Sequence, residues 1–446
     1  MRFRGCAWLA LSSLLWLSLA AGTRPRYGGV LSVDLPAGWT TLNPTEPAAD
    51  LTAQSEREAI LPLVAETLVR LNSKGDAEAA LAVNWQRDAD RKRWRFSLRS
   101  KVAFHDGEPL TGANVAPVLL AALKKRYVDV SVFAGGQTVA IQSEHSMPDL
   151  LTELADLHAA IFRTSDKVPL IGTGPFRVAA LEPGRRLELA AFDDYWAGRP
   201  FLDSVNIITG QTKTPADIIA LPIGPSRRIL PERMRIWTSV SHDLIAVVAG
   251  NVPVPAVQAL ELSVDRVPIV NVLTQRRGEA AFGLLPQWLS GYGFLFASNP
   301  DVSHAKAVLG QTRITPISLS YSANDSLARL VAERVALNAR DAGLTIEPTP
   351  NANGSLRLVR IPLKSTDPVA VLAVIAEFLG IPEPTLNASR PETLYEFERS
   401  LLESHKIVPI VHLPEIYAVS PRVHDWDAAQ KDRGFTLHLE NVWVDP

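Results

Sequence analysis

A chain of 446 residues, 47% hydrophobic and 21% charged, is too long for one hydrophobic core, because single cores stop growing near about 250 to 300 residues. Its formal net charge of −2 and the lack of any long Lys/Arg block exclude a nucleic-acid binder that tracks phosphates. The 26 glycines and 33 prolines are spread without a repeat, which excludes collagen-like and low-complexity classes.

The first residues, MRFR followed by CAWLALSSLLWLSLAA, read as a secretory signal with Ser18 and Ala20 at −3 and −1 of a cleavage site. Cleavage after Ala20 would remove Arg2 and Arg4 from 45 basic and 47 acidic side chains, leaving 43 against 47, or −4. It would also remove Cys6, which stands at the start of the apolar stretch rather than at its end, where a lipoprotein signal needs its cysteine. The expected product is exported, soluble, unlipidated and free of thiols.

YGGVLSVDL (27–35) then reads as a strand, and the apolar spacing of Ile60, Leu63, Val64, Leu68 and Leu71 predicts a helix over 55–71. In RWRFSLRSKVAFHDGEPLTGANV (93–115), Trp94, Phe96, Leu98, Val102 and Phe104 alternate with polar residues. That pattern predicts one strand with a basic outer face, a turn at His105–Pro109 and a helix capped by Thr111, with Asn114 as a second cap. FRVAAL and RLELAAF flank EPG as a hairpin. Helices are predicted over 254–276 and 324–343, the latter with Leu327, Leu330, Val331, Val335 and Leu337 inward and Gly343 as terminator. A helix starting near Pro391 and a buried strand at IVPIVHL (407–413) follow. Hairpins early and alternating strands and helices late predict an α+β first part and an α/β second part.

Four stretches, LAVNWQRDADRKRWRFSLRSKVAFHDGEPLTGANV (81–115), GTGPFRV with EPGRRLELAAFDDYWAGRPFLDSV (172–205), LELSVDRVPIV (260–270) and VPIVHLPEIYAVSPRV (408–423), stand in order along the chain. Together they resemble the family 5 extracellular solute-binding proteins, the peptide and nickel receptors of ABC importers. The resemblance implies an α/β fold of two lobes joined by a hinge, of the periplasmic binding protein class, with mixed sheets and an extra subdomain in the N-terminal lobe. The implied organisation is a signal over 1–20, an N-terminal lobe over 21–240 with its subdomain at about 46–170, a C-terminal lobe over 241–419, and a return to the first lobe over 420–446. The implied function is a periplasmic receptor, a monomer, that hands a small-molecule or oligopeptide ligand to an importer permease by hinge closure, with no cofactor, metal or nucleic acid. A secreted hydrolase is the alternative, although no G-x-S-x-G elbow, H-E-x-x-H helix or P-loop is present.

The resemblance places Trp39, Trp288, Tyr292, Lys364 and Asp367 as candidate ligand contacts. Ordinary packing is the competing reading for the three aromatics, and Tyr195 with Trp196 reads as a structural corner. Lys364 stands four residues before Pro368, where peptide receptors of the family carry a carboxylate for an ammonium group. A cleft lysine there would favour an anionic or neutral ligand. His105 reads as a turn residue, and His405, His412 and His424 lack compact metal-site spacing.

Overall fold

The computed structural model describes residues 24–35, 39–47, 51–72, 76–165, 168–209, 216–224, 230–292, 295–296, 299–310, 315–323, 325–350, 353–363, 365, 367–382, 391–427 and 437–445. The predicted signal over 1–20 lies outside them, as does Lys364.

The chain enters through β1 (Val30–Leu35), whose Leu31 and Val33 are fully buried. Helix α1 (Leu51–Ile60) follows. Here the structure departs from the predicted helix over 55–71: it stops at Ile60, passes through a 3-10 turn at Leu61–Leu63 and becomes extended in β2 (Val69–Leu71). Pro62 is the cause, since it offers no N–H to the helix and disfavours helical geometry in the residue before it. Ile60, Leu63, Val64 and Leu68 are nonetheless buried, so the apolar spacing located the core but mistook the backbone.

A small sheet follows from β3 (Ala77–Ala79), which pairs with β2, to a four-stranded set. The four are β4 (Ala82–Arg87), β5 (Arg93–Leu98), β6 (Ser131–Gly135) and β7 (Thr138–Gln142), ordered β4-β5-β7-β6. Strand β5 ends at Leu98, short of the predicted run, because Lys101 has φ 62° and breaks the alternation. Val102 and Phe104 are still buried beyond it. Helix α2 (Gly112–Leu123) packs on this sheet, and the Asn114 side-chain oxygen accepts the Thr111 N–H at 2.9 Å. With α3 (Leu150–Ala155), these elements close a core that includes Trp94, Phe96, Phe104, Leu119 and Ile141.

The chain then builds a long sheet through β8 (Phe176–Glu182), β9 (Arg186–Ala191), β10 (Ser204–Thr209) and β11 (Ile218–Ala220). Strand β12 (Arg235–Ala249) leads to α4 (Val254–Ser263), whose predicted continuation to 276 is broken at Val264 and Asp265 before a π-helical turn at Ile269–Leu273. Then come β13 (Glu279–Ala280), α5 (Gln287–Ser290), α6 (Val302–Leu309), β14 (Ile317–Ser320) and α7 (Ser326–Asp341). In α7 the predicted inward set is buried at Leu327, Val331 and Val335, whereas Leu337 is 47% exposed. The second part closes with β15 (Ile346–Thr349), β16 (Leu356–Pro362), α8 (Pro368–Phe378), α9 (Pro391–Glu403) and β17 (Ile407–Val419). A last pair, β18 (Val423–His424) and β19 (Trp443–Val444), ends the described chain.

Among the described residues eleven strands form one mixed sheet, ordered β15-β14-β16-β12-β17-β11-β1-β10-β9-β8 with β13 beside β17. Separate cores lie along it. One gathers Leu31, Val33, Phe176, Leu189, Ile207 and Ile218 with Trp426, Leu439 and Val444 from the end of the chain. Another gathers Val247, Leu260, Leu319, Val331 and Ile410, and a third, with Leu244, Leu372, Phe397 and Leu401, covers the other side of the same strands.

The first core and the small-sheet core meet at a polar seam. Glu66 accepts hydrogen bonds from Thr173 Oγ1 at 2.9 Å, Tyr195 Oη at 3.0 Å and Trp196 Nε1 at 3.0 Å. Tyr195 and Trp196 thus serve as a corner on a half-buried carboxylate. Burial pushes the Glu66 carboxyl up to about 7 from an ordinary 4.5, against the lowering effect of those donors. The folded protein therefore holds this proton more tightly than the unfolded chain, and stability falls as pH rises from about 4.5 through about 7. At about 1.4 kcal/mol per pH unit the loss is about 3 kcal/mol. Urea midpoints at pH 5 and pH 8 are expected to show this fall, and Glu66→Gln is expected to remove it. A Gln variant that keeps the full slope would show that another group is responsible.

Candidate functional site

Two strands carry the sheet from one core to the next. Strands β12 and β17 pair from Arg235↔Val419 to Val248↔Ile407, with register breaks between Thr238 and Ser241, between Ser241 and Asp243, and between Ile245 and Ala246. On one side of the first two breaks, β17 is flanked by β11; on the other, β12 is flanked by β16. The crossing therefore lies at 239–243, where the pairing is least regular and twist is most easily absorbed.

Charged side chains collect at this crossing, although the strands around it are apolar. His242, 4% exposed, places Nδ1 3.8 Å from Asp243 Oδ1 and Nε2 3.8 Å from Glu415 Oε2. Arg360 of β16 reaches Asp243 at 3.7 Å and Asp325, the cap of α7, at 3.5 Å. Tyr417 donates its hydroxyl to Glu415 at 3.1 Å, and Ser241 donates its hydroxyl to Glu279 at 2.9 Å. Burial works against the charged form of His242, yet Asp243 and Glu415 outweigh it and hold the imidazole above its ordinary value. Glu415 is raised by burial, with His242 pulling the other way.

The loop after β13 reaches the same place. Trp288, 39% exposed on α5, donates its indole N–H to the Ser241 carbonyl at 2.6 Å. The loop is anchored from behind by Glu398 of α9, which accepts the backbone N–H groups of Leu284 and Leu285 and the Tyr292 hydroxyl, the last at 2.7 Å. Tyr292 packs edge-on against Phe296 and Tyr395. His412, buried on β17, contacts the Leu284 carbonyl at 3.1 Å.

Of the residues proposed from sequence, the structure brings Trp288 to the crossing and Tyr292 to the anchor behind it. Trp39 is 1% exposed within the first core. Asp367 caps α8, its carboxylate accepting the Val369 N–H at 2.9 Å. Sequence reasoning missed His242, Asp243, Glu415 and Arg360. The available signal was a charged residue interrupting an apolar strand, as in SHDLIAVV and VHLPEIYAV.

His105 is bound to backbone far away in sequence: it accepts the Gly172 N–H at 3.3 Å and donates from Nε2 to the Gly174 carbonyl at 3.0 Å. Burial, the largest effect, brings its pKa down to about 4. This ties the FHDG turn to the GTGPF loop and makes both stretches scaffold. Among the described residues no group of three His, Cys, Asp or Glu side chains converges as a metal site.

Residues 76–218 match the model described as bacterial extracellular solute-binding proteins, family 5 middle. This stretch, about a third of the chain, is similar to that family. A nickel-binding protein of Staphylococcus aureus, NikA, is 28% identical over 217 residues, covering 46% of this chain and 42% of that protein. A probable D,D-dipeptide-binding periplasmic protein of Escherichia coli, DdpA, is 23% identical over 325 residues, 63% of this chain and 62% of the relative. The chain thus spans about two fifths of the first relative's length. Among solved structures, Staphylococcus aureus NikA with Ni(L-His)2 superposes with a TM-score of 0.75 at 17% identity, covering 93% of this chain and all of that one. The binding protein AgaA of A. tumefaciens R10, in complex with agropinic acid, gives a TM-score of 0.74 at 19% identity, covering 94% of this chain and 99% of that one. These structural neighbours show the two-lobe fold expected from the sequence.

Proposed function

We propose that the protein is a periplasmic solute receptor of an ABC importer, which encloses a small ligand between its lobes and presents the closed form to a permease. The observation that carries this reading is the crossing itself: two adjacent strands, broken in register at 239–243, link cores that are otherwise separate. A ligand touching both lobes gains contacts only when they approach, and so shifts the open and closed populations. The relatives NikA and DdpA are described as binding proteins, which supports this reading over the hydrolase alternative. Among the described residues no helix is long and apolar enough to cross a membrane.

Trp288 is the described aromatic best placed to meet a ligand, its indole N–H engaged at the crossing and its ring partly open. Lys364 is kept as a proposed contact from its place in the sequence. Peptide-like solutes, opines, sugars and metal chelates are the classes to screen, with anionic and neutral members weighted by that lysine. A true ligand at a hundredfold excess over its Kd is expected to stabilise the protein by about 2.7 kcal/mol, visible as a rise in Tm, and mass spectrometry should recover it unchanged. A screen without any shift would remove the support for a receptor, and turnover of the compound would replace it with an enzyme.

A further inference from the structure

The hinge strands carry a buried histidine set between two carboxylates. We infer that His242 is a proton-dependent fastener of the hinge: protonated, it holds Glu415 of β17 beside Asp243 of β12 at the crossing, and deprotonated, it loosens that side-chain contact, leaves the strands paired, and changes the balance of open and closed lobes.

The geometry supporting this is local. His242 lies in the register break, between Ser241 and Asp243, and its two ring nitrogens face carboxylates on the two different hinge strands at equal 3.8 Å separations. An imidazolium attracts both carboxylates at these ion-pair distances, whereas a neutral ring carries no charge to attract either. The backbone around it is secured, with the His242 carbonyl accepting the Leu363 N–H at 2.7 Å, so the side chain can change state without unthreading the strand.

The surrounding charges come from every neighbouring element. Asp243 shares its strand, Glu415 and Tyr417 lie on β17, and Arg360 reaches in from β16 with Asp325 behind it. Glu279 of β13 is held by Ser241, and Glu56 of α1 acts on Tyr417 from the first lobe. Loss of the imidazolium charge leaves Asp243 and Glu415 in this partly dry site facing Arg360, a less neutral arrangement that favours moving the two carboxylates apart at the crossing. The neighbouring charges hold His242 above the ordinary histidine value of 6.5, which sets the transition on the alkaline side of that value. His105 and His412, brought by burial to about 4, stay neutral throughout this range.

The inference rests on the two-lobe hinge in the proposed function but not on any ligand, and its test uses none, so it can fail while solute binding stands. The full chain carrying Cys6→Ser, Glu182→Cys and Leu337→Cys would be spin-labelled, with one label in each lobe, and inter-label distances measured from pH 6 to pH 9. The distance distribution is expected to shift with a single midpoint above 6.5. His242→Gln should give the high-pH distribution at every pH, and Glu415→Gln should move the midpoint down. Histidine-selective NMR of the same samples should show the His242 resonance titrating at the distance midpoint. An invariant wild-type distribution, or a midpoint that survives His242→Gln, would overturn the inference. Should His242→Gln not fold, Glu415→Gln decides: a lowered midpoint supports the fastener and an unchanged one overturns it.

Discussion

Gly172→Ala is expected to destabilise the protein by about 3 kcal/mol, the upper end of what overfilling a packed site typically costs. A Cβ at Gly172 would stand 2.0 Å from the Val64 carbonyl oxygen and 2.9 Å from the Ala65 Cα. Neither atom can swing aside as a side-chain tip would, since both belong to the buried backbone at the end of the 3-10 turn that Pro62 initiates. The same loop is tied down at Gly174, whose N–H donates to Val64 O at 2.9 Å, and through the two ring nitrogens of His105. Gly135→Ala is the control, because a Cβ there meets nothing within 4 Å. Urea unfolding of the two variants should separate them widely. Similar midpoints would mean that the GTG loop has room to move.

Glu398→Ala is expected to cost about 3 to 5 kcal/mol, since it strands two buried backbone donors and a tyrosine hydroxyl at once. Glu398 is fully buried and its carboxyl is raised by burial, the largest effect, against the donors it accepts from. Tyr292→Phe removes one of those bonds and is expected to cost about 1 kcal/mol. The two variants should also differ in function. Because the anchored loop carries Trp288 to the crossing, Glu398→Ala should weaken ligand binding well beyond Tyr292→Phe, as read by calorimetry once a ligand is known. Equal affinities would show that the loop holds its place without this carboxylate.

The elements most legible in the sequence were those whose pattern is set locally. Strand β5 alternates cleanly, α7 starts at Asp325 and stops before Gly343, and the 176–191 hairpin turns at its Pro-Gly pair. The misjudged helix over 55–71 and overlong strand past Leu98 share one cause: buried apolar spacing persists where a proline or a left-handed residue has already changed the backbone. The candidate site was less legible because its parts are far apart in sequence. His242, Arg360 and Glu415 meet only when β12 is flanked by β16 and β17, and nothing in the sequence near each residue announces the other two. Asp367 illustrates the converse, since an Asp before a Pro-led apolar run is a helix cap by local rules, and its carboxylate serves that role.

The central claim is that two lobes close on a solute about the 239–243 crossing. Small-angle X-ray scattering of the full protein, with and without a saturating ligand identified by thermal shift, tests it most directly. A smaller radius of gyration is expected in the bound state, reversed when the ligand is dialysed away; a radius unchanged at saturation would overturn closure of the lobes.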